Sequence, residues 1–252
     1  MIYPDWRVPA VSEKRIRHMG NDTMDLEQLA DYLQRDVREV TKMASRGHLP
    51  GRKVGGQWRF ARAEINQWIE SQIAGYDDQQ LTALERGGSA ADEQEPLIST
   101  LLSEATMAVP LVASTRTSVL RELVGLAEQT WQVYDPAAIL EAIRQREEMS
   151  STALESGVAI PHPHRPLAAA LGESVMAYGR TASGIPFGAP GGSLTDIFFL
   201  VCCRDDRTHL QVLARLSRLL LRADFTDDLR SAQTSAGTWQ LIADAERDLL
   251  AE

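Results

Sequence analysis

Apolar positions along the chain keep short, interrupted periods up to about residue 73 and longer alternating helix and strand periods from residue 97 onward. Near the start, Leu26, Leu29, Ala30 and Leu33 recur at helical spacing behind Asp25, with Gln28 three residues after it; this predicts a capped helix with those four residues as its buried stripe. Asp36 followed by Glu39 predicts a second helix. It turns Val37, Val40, Met43 and Ala44 inward and leaves Arg38, Thr41, Lys42 and Arg46 largely outward, and Gly47 ends it. Two short helices joined through Gln34-Arg35 predict a helix-turn-helix. In Val54-Gly55-Gly56-Gln57-Trp58-Arg59-Phe60 the Gly-Gly pair fits a two-residue turn between strands, and a further helix from Arg62 to about Ile73 buries Ile65, Trp68 and Ile69.

Beyond residue 97 the periods lengthen. Residues 117–129 predict an amphipathic helix, with Val119, Leu120, Leu123, Val124, Leu126 and Ala127 inward. Asp135-Pro136 starts another, which carries Ile139, Leu140 and Ile143 and ends near Arg146-Glu147-Glu148. Val158-Ala159-Ile160 is a short strand, residues 171–181 alternate loosely as a second, and residues 196–203, apolar throughout after Asp196, form a third. Leu210, Leu213, Leu216 and Leu220 mark a long helix after His209, and residues 225–232 and 238–250 add two more. Helices flanking a central sheet make the C-terminal domain α/β with a mixed sheet, preceded by a small, mainly α winged helix-turn-helix domain. The expected boundaries are a polar N-terminal segment over 1–22, the small domain over 23–70, a linker or partly helical spacer over 71–96 and the α/β domain over 97–252.

A length of 252 residues accommodates two such domains. Hydrophobic content of 44% and charged content of 24% are ordinary for a soluble globular chain. No apolar run is long enough to span a membrane, and the N-terminus has no basic-then-apolar signal pattern, so a cytoplasmic location without membrane attachment is expected. Cys202 and Cys203 are neighbours in an apolar strand and point to opposite faces, which makes them reduced core residues rather than a disulfide or a shared metal site. No other spacing suggests a metal, and the expected metal and cofactor complement is none.

The net charge of −9 conceals an asymmetry. Residues 1–70 carry twelve Lys and Arg against ten Asp and Glu, whereas 71–252 carry fourteen against twenty-five. Residues 52–62 are basic without a single acid. A locally basic segment on an acidic chain points to a specific anionic contact.

One histidine stands out. His162 follows the short strand directly, on a corner stiffened by Pro161, about sixteen residues after Arg146. An imidazole held at a strand end with its ring free to meet a partner suits a phosphoryl carrier. Such chemistry needs a positioned ring and neutralisation of the moving charge, and neither a metal nor a nucleotide.

Two resemblances extend this reading. Leu49-Pro50-Gly51-Arg52-Lys53-Val54-Gly55-Gly56-Gln57-Trp58-Arg59-Phe60 and Ala63-Glu64-Ile65-Asn66-Gln67-Trp68-Ile69 resemble the helix-to-wing segment and closing helix of excisionase/MerR-like winged helix-turn-helix domains, over essentially all of 24–70. The resemblance implies DNA as a partner, with Arg38, Lys42 and Arg46 facing a groove and Arg52, Lys53 and Arg59 on the wing; the bland alternative is a solvated basic face on a protein-binding module. Arg146-Glu147-Glu148, Ser151-Thr152, Gly157-Val158-Ala159-Ile160-Pro161-His162, Gly184-Ile185-Pro186-Phe187 and Thr208-His209-Leu210-Gln211-Val212-Leu213 resemble, in order, the type-2 (fructose–mannitol and nitrogen-regulatory) enzyme IIA domain of the bacterial phosphoenolpyruvate:sugar phosphotransferase system.

That second resemblance implies phosphorylation of His162 by the histidine-containing phosphocarrier protein. His209 would be the second active-site histidine, Arg146 a phosphate contact, and Ser151 and Thr152 weaker phosphate neighbours; His164 is expected on the surface. The sequence departs from the family's pattern at Pro163, where glycine usually follows the histidine, and at Gly188 and Gly191, where acids are common. The combined expectation is a regulator in which a DNA-binding winged helix is joined to a phosphorylatable IIA domain, with a second copy of the chain or a protein target as further partners. Two alternatives stay open: a IIA phosphocarrier serving a separate IIB, and an unphosphorylated IIA-like docking module, which Pro163 favours.

Overall fold

Asp25 starts the first helix as its spacing predicts: its carboxylate accepts from Gln28 N at 2.9 Å, and Asp25 N donates back to Gln28 Oε1 at 3.0 Å. The computed structural model describes residues 23–73, 75–86, 95 and 97–251. The segment 1–22 expected to be polar and irregular, and residues 87–94 and 96 of the expected linker, lie outside the described residues. Contacts divide the chain into two compact units between Ile69 and Glu70.

The first unit runs β1 (Thr23–Met24), α1 (Leu26–Tyr32), α2 (Val37–Ser45), β2 (Arg52–Val54), β3 (Gln57–Ala61) and the start of α3 (Arg62–Ile73). Asp36 caps α2 by accepting from Arg38 N at 2.7 Å, and Gly47 takes the left-handed conformation just past its end, at φ 73°. Gly55 and Gly56, both at positive φ, make the two-residue turn that pairs Val54 with Gln57, and β3 also pairs with β1 in the antiparallel order β1-β3-β2. Leu29, Ala30, Val40, Ala44, Phe60, Ile65 and Ile69 form the core. Leu26, Leu33, Met43 and Trp68 are only half-buried, and Val37 is exposed, because it stands in the first turn of α2 next to its cap.

The second unit begins at Glu70. Within residues 71–96, read as linker or spacer, Asp78–Arg86 forms α4, with Leu81 and Glu85 buried. There follow α5 (Ile98–Leu101), β4 (Met107–Ala108), α6 (Arg116–Glu128), α7 (Pro136–Met149), β5 (Val158–Ala159), β6 (Val175–Ile185), β7 (Thr195–Cys202), α8 (Asp206–Leu221), α9 (Phe225–Ser231) and α10 (Ser235–Ala251). The sheet order is β4-β6-β7-β5; β6 and β7 are antiparallel, while the two short outer strands run parallel to their neighbours. It is therefore the mixed sheet of an α/β domain.

Alternation along β7 builds both sides of the core. Phe198, Leu200 and Cys202 pack with α6 and α7 residues such as Leu123 and Ile143; Ile197, Phe199, Val201 and Cys203 pack with Val212, Leu216 and Ile242. The two cysteines thus face opposite layers, both free and buried. Burial pushes the Cys202 thiol up to about 12 and raises that of Cys203 as well. Neither thiol is expected to react with a disulfide reagent in the native protein at neutral pH, whereas both should react once the protein is unfolded; a thiol assay with and without denaturant checks this.

Candidate phosphoryl-accepting site

The segment from Ser150 to His162 is fixed at both ends. Helix α7 ends at Met149, and the hydroxyl of Ser151 donates to Phe187 O at 3.0 Å while accepting from Ala153 N at 3.2 Å. Thr152 Oγ1 donates to Glu147, whose carboxylate also accepts from Arg116 NH2 at 2.7 Å. The bonds of the two hydroxyls thus frame the segment, and none of these goes to the histidine. After β5, Val201 N donates to Pro161 O at 2.9 Å, so the corner is tied to the neighbouring strand β7.

His162 is 4% exposed, and its Nδ1 lies 2.7 Å from Ile160 O. A carbonyl only accepts, so Nδ1 carries a proton and Nε2 is the nitrogen presented to the site. His209 enters from the first turn of α8, whose start Asp205 caps by accepting from Thr208 N at 2.9 Å. The two rings stand 5.0 Å apart, tilted by 59°. His209 is as buried as His162, and its pKa is lowered by burial, against the opposing pull of Glu70.

Between the two rings lies a carboxylate that the sequence reading missed. Glu70 Oε2 is 3.2 Å from His162 Nε2, and Oε1 is 3.2 Å from His209 Nε2. Arg146 reaches the same Oε2 through NH2 at 3.5 Å, donates from NH1 to Ser150 O at 2.8 Å, and has no hydrogen-bond partner for its Nε among the described residues. Burial alone would raise the Glu70 pKa. The hydrogen bonds and charges of His162 and His209 outweigh it and hold the carboxyl well below the usual carboxylate range. No short-range signal marks Glu70, since its partners lie 92 and 139 positions away.

The three potential ligand atoms of Glu70, His162 and His209 lie within 4.8 Å of one another, close enough for one metal ion. The guanidinium of Arg146 already supplies a cation to the same carboxylate oxygen, which disfavours a second cation there. What the geometry offers is therefore an anion cradle of one arginine and two imidazoles.

The surrounding positions refine the expectations. His164 is half-buried, not a surface residue; its Nδ1 lacks a partner among the described residues, and burial lowers its pKa. Pro163 is buried. Gly188 adopts φ +105°, and a Cβ there would meet the Ser151 Cβ at 3.0 Å, so the acid common in the family's pattern does not fit this backbone. Gly188→Asp is expected to destabilise the protein by about 1–3 kcal/mol, read as a lower urea midpoint. In the first unit Arg38, Lys42, Arg46, Arg52 and Lys53 are exposed, whereas Arg59 is half-buried and bonds within the wing to Trp58 O and Gln57 Oε1 at 3.2 and 3.1 Å. Lys53 lies over the Trp58 ring at 5.2 Å.

Residues 100–245 match the family described as "Phosphoenolpyruvate-dependent sugar phosphotransferase system, EIIA 2", and residues 23–73 match "Helix-turn-helix domain". The chain is 30% identical over 149 residues to the nitrogen regulatory protein of Bradyrhizobium diazoefficiens, an alignment covering 58% of this chain and 94% of that one. It is 29% identical over 147 residues to the "PTS system fructose-specific EIIABC component" of Bacillus subtilis strain 168, covering 58% of this chain but only 23% of that relative's length. Among solved structures, nitrogen regulatory protein IIA-Ntr from Neisseria meningitidis superposes with a TM-score of 0.53 at 23% identity, over 58% of this chain and 99% of that one, a likeness of fold. With the mixed sheet and the matched residues in agreement, the chain belongs to the EIIA type-2 family of the phosphotransferase system, with a helix-turn-helix domain ahead of it.

Proposed function

We propose that this protein is a cytoplasmic regulator whose EIIA domain accepts a phosphoryl group on Nε2 of His162 and whose helix-turn-helix domain binds DNA. The observation that carries the first half is the pinned ring: Nδ1 is held by Ile160 O, while Nε2 faces the place where Arg146 and His209 converge, now taken by the Glu70 carboxylate. The donor in this reading is the phosphohistidine of the histidine-containing phosphocarrier protein. The Nε2 lone pair of neutral His162 forms the new N–P bond, and the donor's N–P bond breaks with its electron pair returning to the donor imidazole. Arg146 and His209 offset the charge on the phosphoryl oxygens during transfer. Breaking one phosphoramidate while forming another leaves the step near balance. Incubation with phosphoenolpyruvate, enzyme I and the phosphocarrier tests it: acid-labile phosphate on the chain is expected, and its absence from both the unaltered chain and Glu70→Ala would remove the reading.

The second half rests on the exposed basic face of the first unit. Arg38, Lys42, Arg46, Arg52 and Lys53 are available to a phosphate backbone or base edges, and Arg59 supports the wing. Binding by a single small module is expected to be weak and steeply salt-dependent, so a homodimer or a second bound partner would raise affinity. Arg46→Ala is expected to lower the slope of log affinity against log salt by about 0.9 if Arg46 contacts one phosphate. Fluorescence anisotropy with a labelled duplex at several salt concentrations measures it.

Transfer onward to a separate IIB is the second reading, and the family membership supports it equally. Loss of label to an added IIB would favour it. An unphosphorylated docking module is the third, supported by Pro163, which has no N–H to offer a phosphate.

A further inference from the structure

We propose that Glu70 is an internal stand-in for the phosphoryl group: its carboxylate occupies the cradle of His162, His209 and Arg146 and keeps His162 from accepting phosphate until it withdraws. This rests on the reading of His162 as phosphoryl acceptor and names how that site is regulated.

Occupancy is the first argument. The Glu70 side chain is 3% exposed, and each of its oxygens lies 3.2 Å from a different imidazole Nε2. An ionised carboxylate is costly to bury unless donors surround it, and here three residues converge on it. Its two oxygens therefore take the places that two phosphoryl oxygens need. A phosphorus bonded to His162 Nε2 would bring its own oxygens onto the position of Oε2. Two anions cannot share the cradle, so phosphorylation and Glu70 occupancy exclude each other.

Proton placement is the second. His162 Nδ1 already donates to Ile160 O, and an ionised Glu70 has only acceptors to offer Nε2. The hydrogen bond at Nε2 therefore requires a proton on that nitrogen as well. A ring protonated at both nitrogens has no lone pair in the ring plane and cannot attack phosphorus. The carboxylate thus blocks the site by filling it and by keeping the nucleophile protonated. When it leaves, Nε2 is no longer engaged as a donor to a carboxylate.

Phosphoramidate, a small donor that needs no protein recognition, tests this on the full chain. His162 Nε2 attacks its phosphorus, the P–N bond breaks with its pair going to nitrogen, and that nitrogen takes a proton and leaves as ammonia. Labelling rates are compared for the unaltered chain, Glu70→Gln and Glu70→Ala, and the histidine ring nitrogens of the same samples are followed by NMR at neutral pH. The expected order is slowest for the unaltered chain and fastest for Glu70→Ala, with about a tenfold or greater gain, the range for losing a charge-assisted hydrogen bond. The His162 Nε2 signal of the unaltered chain should change in both variants, because the carboxylate it bonds is gone. Equal rates, or ring spectra that do not change, would overturn the proposal. If none of the three chains takes label although the spectra change as expected, His162 is not a phosphoryl acceptor. Glu70 is then a buried ion-pair partner with nothing to gate. Label on all three at one rate leaves the acceptor reading intact and removes only Glu70's part in it.

Discussion

Replacing His162 by alanine is expected to abolish acid-labile phosphate on the chain, while replacing His209 by alanine slows labelling without ending it. The rings share a cradle but differ in what they can offer. His162 has Nδ1 committed to Ile160 O, so Nε2 is the nitrogen it presents to the anion site, where Glu70 sits. His209 donates from Nε2 to Glu70 Oε1, and burial favours its neutral form. It is placed as a hydrogen-bond donor to whatever anion sits there, not as the nucleophile. Removing one such preorganised donor costs about 10²- to 10³-fold in rate at sites of comparable design. Quantifying acid-labile phosphate over time on His162→Ala and His209→Ala separates the two roles. Equal loss in both, with the fold intact by circular dichroism, would contradict the assignment.

The largest stability effect is expected far from the histidines, at Glu246 on α10. This carboxylate is fully buried, yet it accepts from Leu97 N at 2.8 Å, Ile98 N at 2.7 Å, Ser99 N at 2.9 Å and Ser99 Oγ at 2.7 Å, and it pairs with Arg215 NH1 at 3.0 Å. Helix α5 has only four residues, too few to be stable alone, and its otherwise unpaired first N–H groups are met by this one side chain. Glu246→Ala would leave those donors without their acceptor and take from the buried Arg215 one of its two carboxylate partners. Breaking a buried pair in this way costs about 3–5 kcal/mol. At roughly 2–4 °C per kcal/mol for a domain of this size, the melting temperature should fall by roughly 10 °C. Ser99→Ala removes one neutral donor and should cost only about 1 kcal/mol. Thermal unfolding of both variants checks the contrast, and similar shifts would argue against the carboxylate as the centre of the network.

Much of this arrangement could be read along the chain because it is locally determined. Asp25 and Asp36 cap their own helices, Gly55-Gly56 closes its own hairpin, and the apolar run of β7 is what burial on two faces requires. His162 could be found because its strand, corner and proline are consecutive. What escaped is set by distant pairing. Strand β4 is two residues long and exists through Tyr178 and Gly179, some seventy positions later. Helix α4 lies in a polar stretch that reads as spacer, yet Glu85 is buried because Arg215 and Arg218 on α8 hold it. The hydroxyls of Ser151 and Thr152 were legible as residues near His162, but which groups they bond was not: Phe187 O and the Glu147 carboxylate take them. Glu70 combines both problems, being a charged residue on a helix with partners 92 and 139 positions away.

The anchoring of α4 gives Glu70 a property that distances alone do not convey. Asp78 bonds Arg218 at 2.9 Å and Glu85 bonds it at 3.0 Å, so the chain is tied to α8 eight residues after Glu70. Even fully extended, such a stretch reaches no more than about 29 Å. A carboxylate on so short a leash competes for the cradle at an effective concentration on the order of millimolar, whatever its intrinsic affinity. Free phosphate and other passing anions face that standing competitor at every encounter. A phosphoryl donor must likewise wait for the carboxylate to withdraw, but its covalent product on His162 is not displaced by mass action alone when the carboxylate returns. The leash would therefore let the site ignore the anions dissolved around it and respond to a phosphoryl donor.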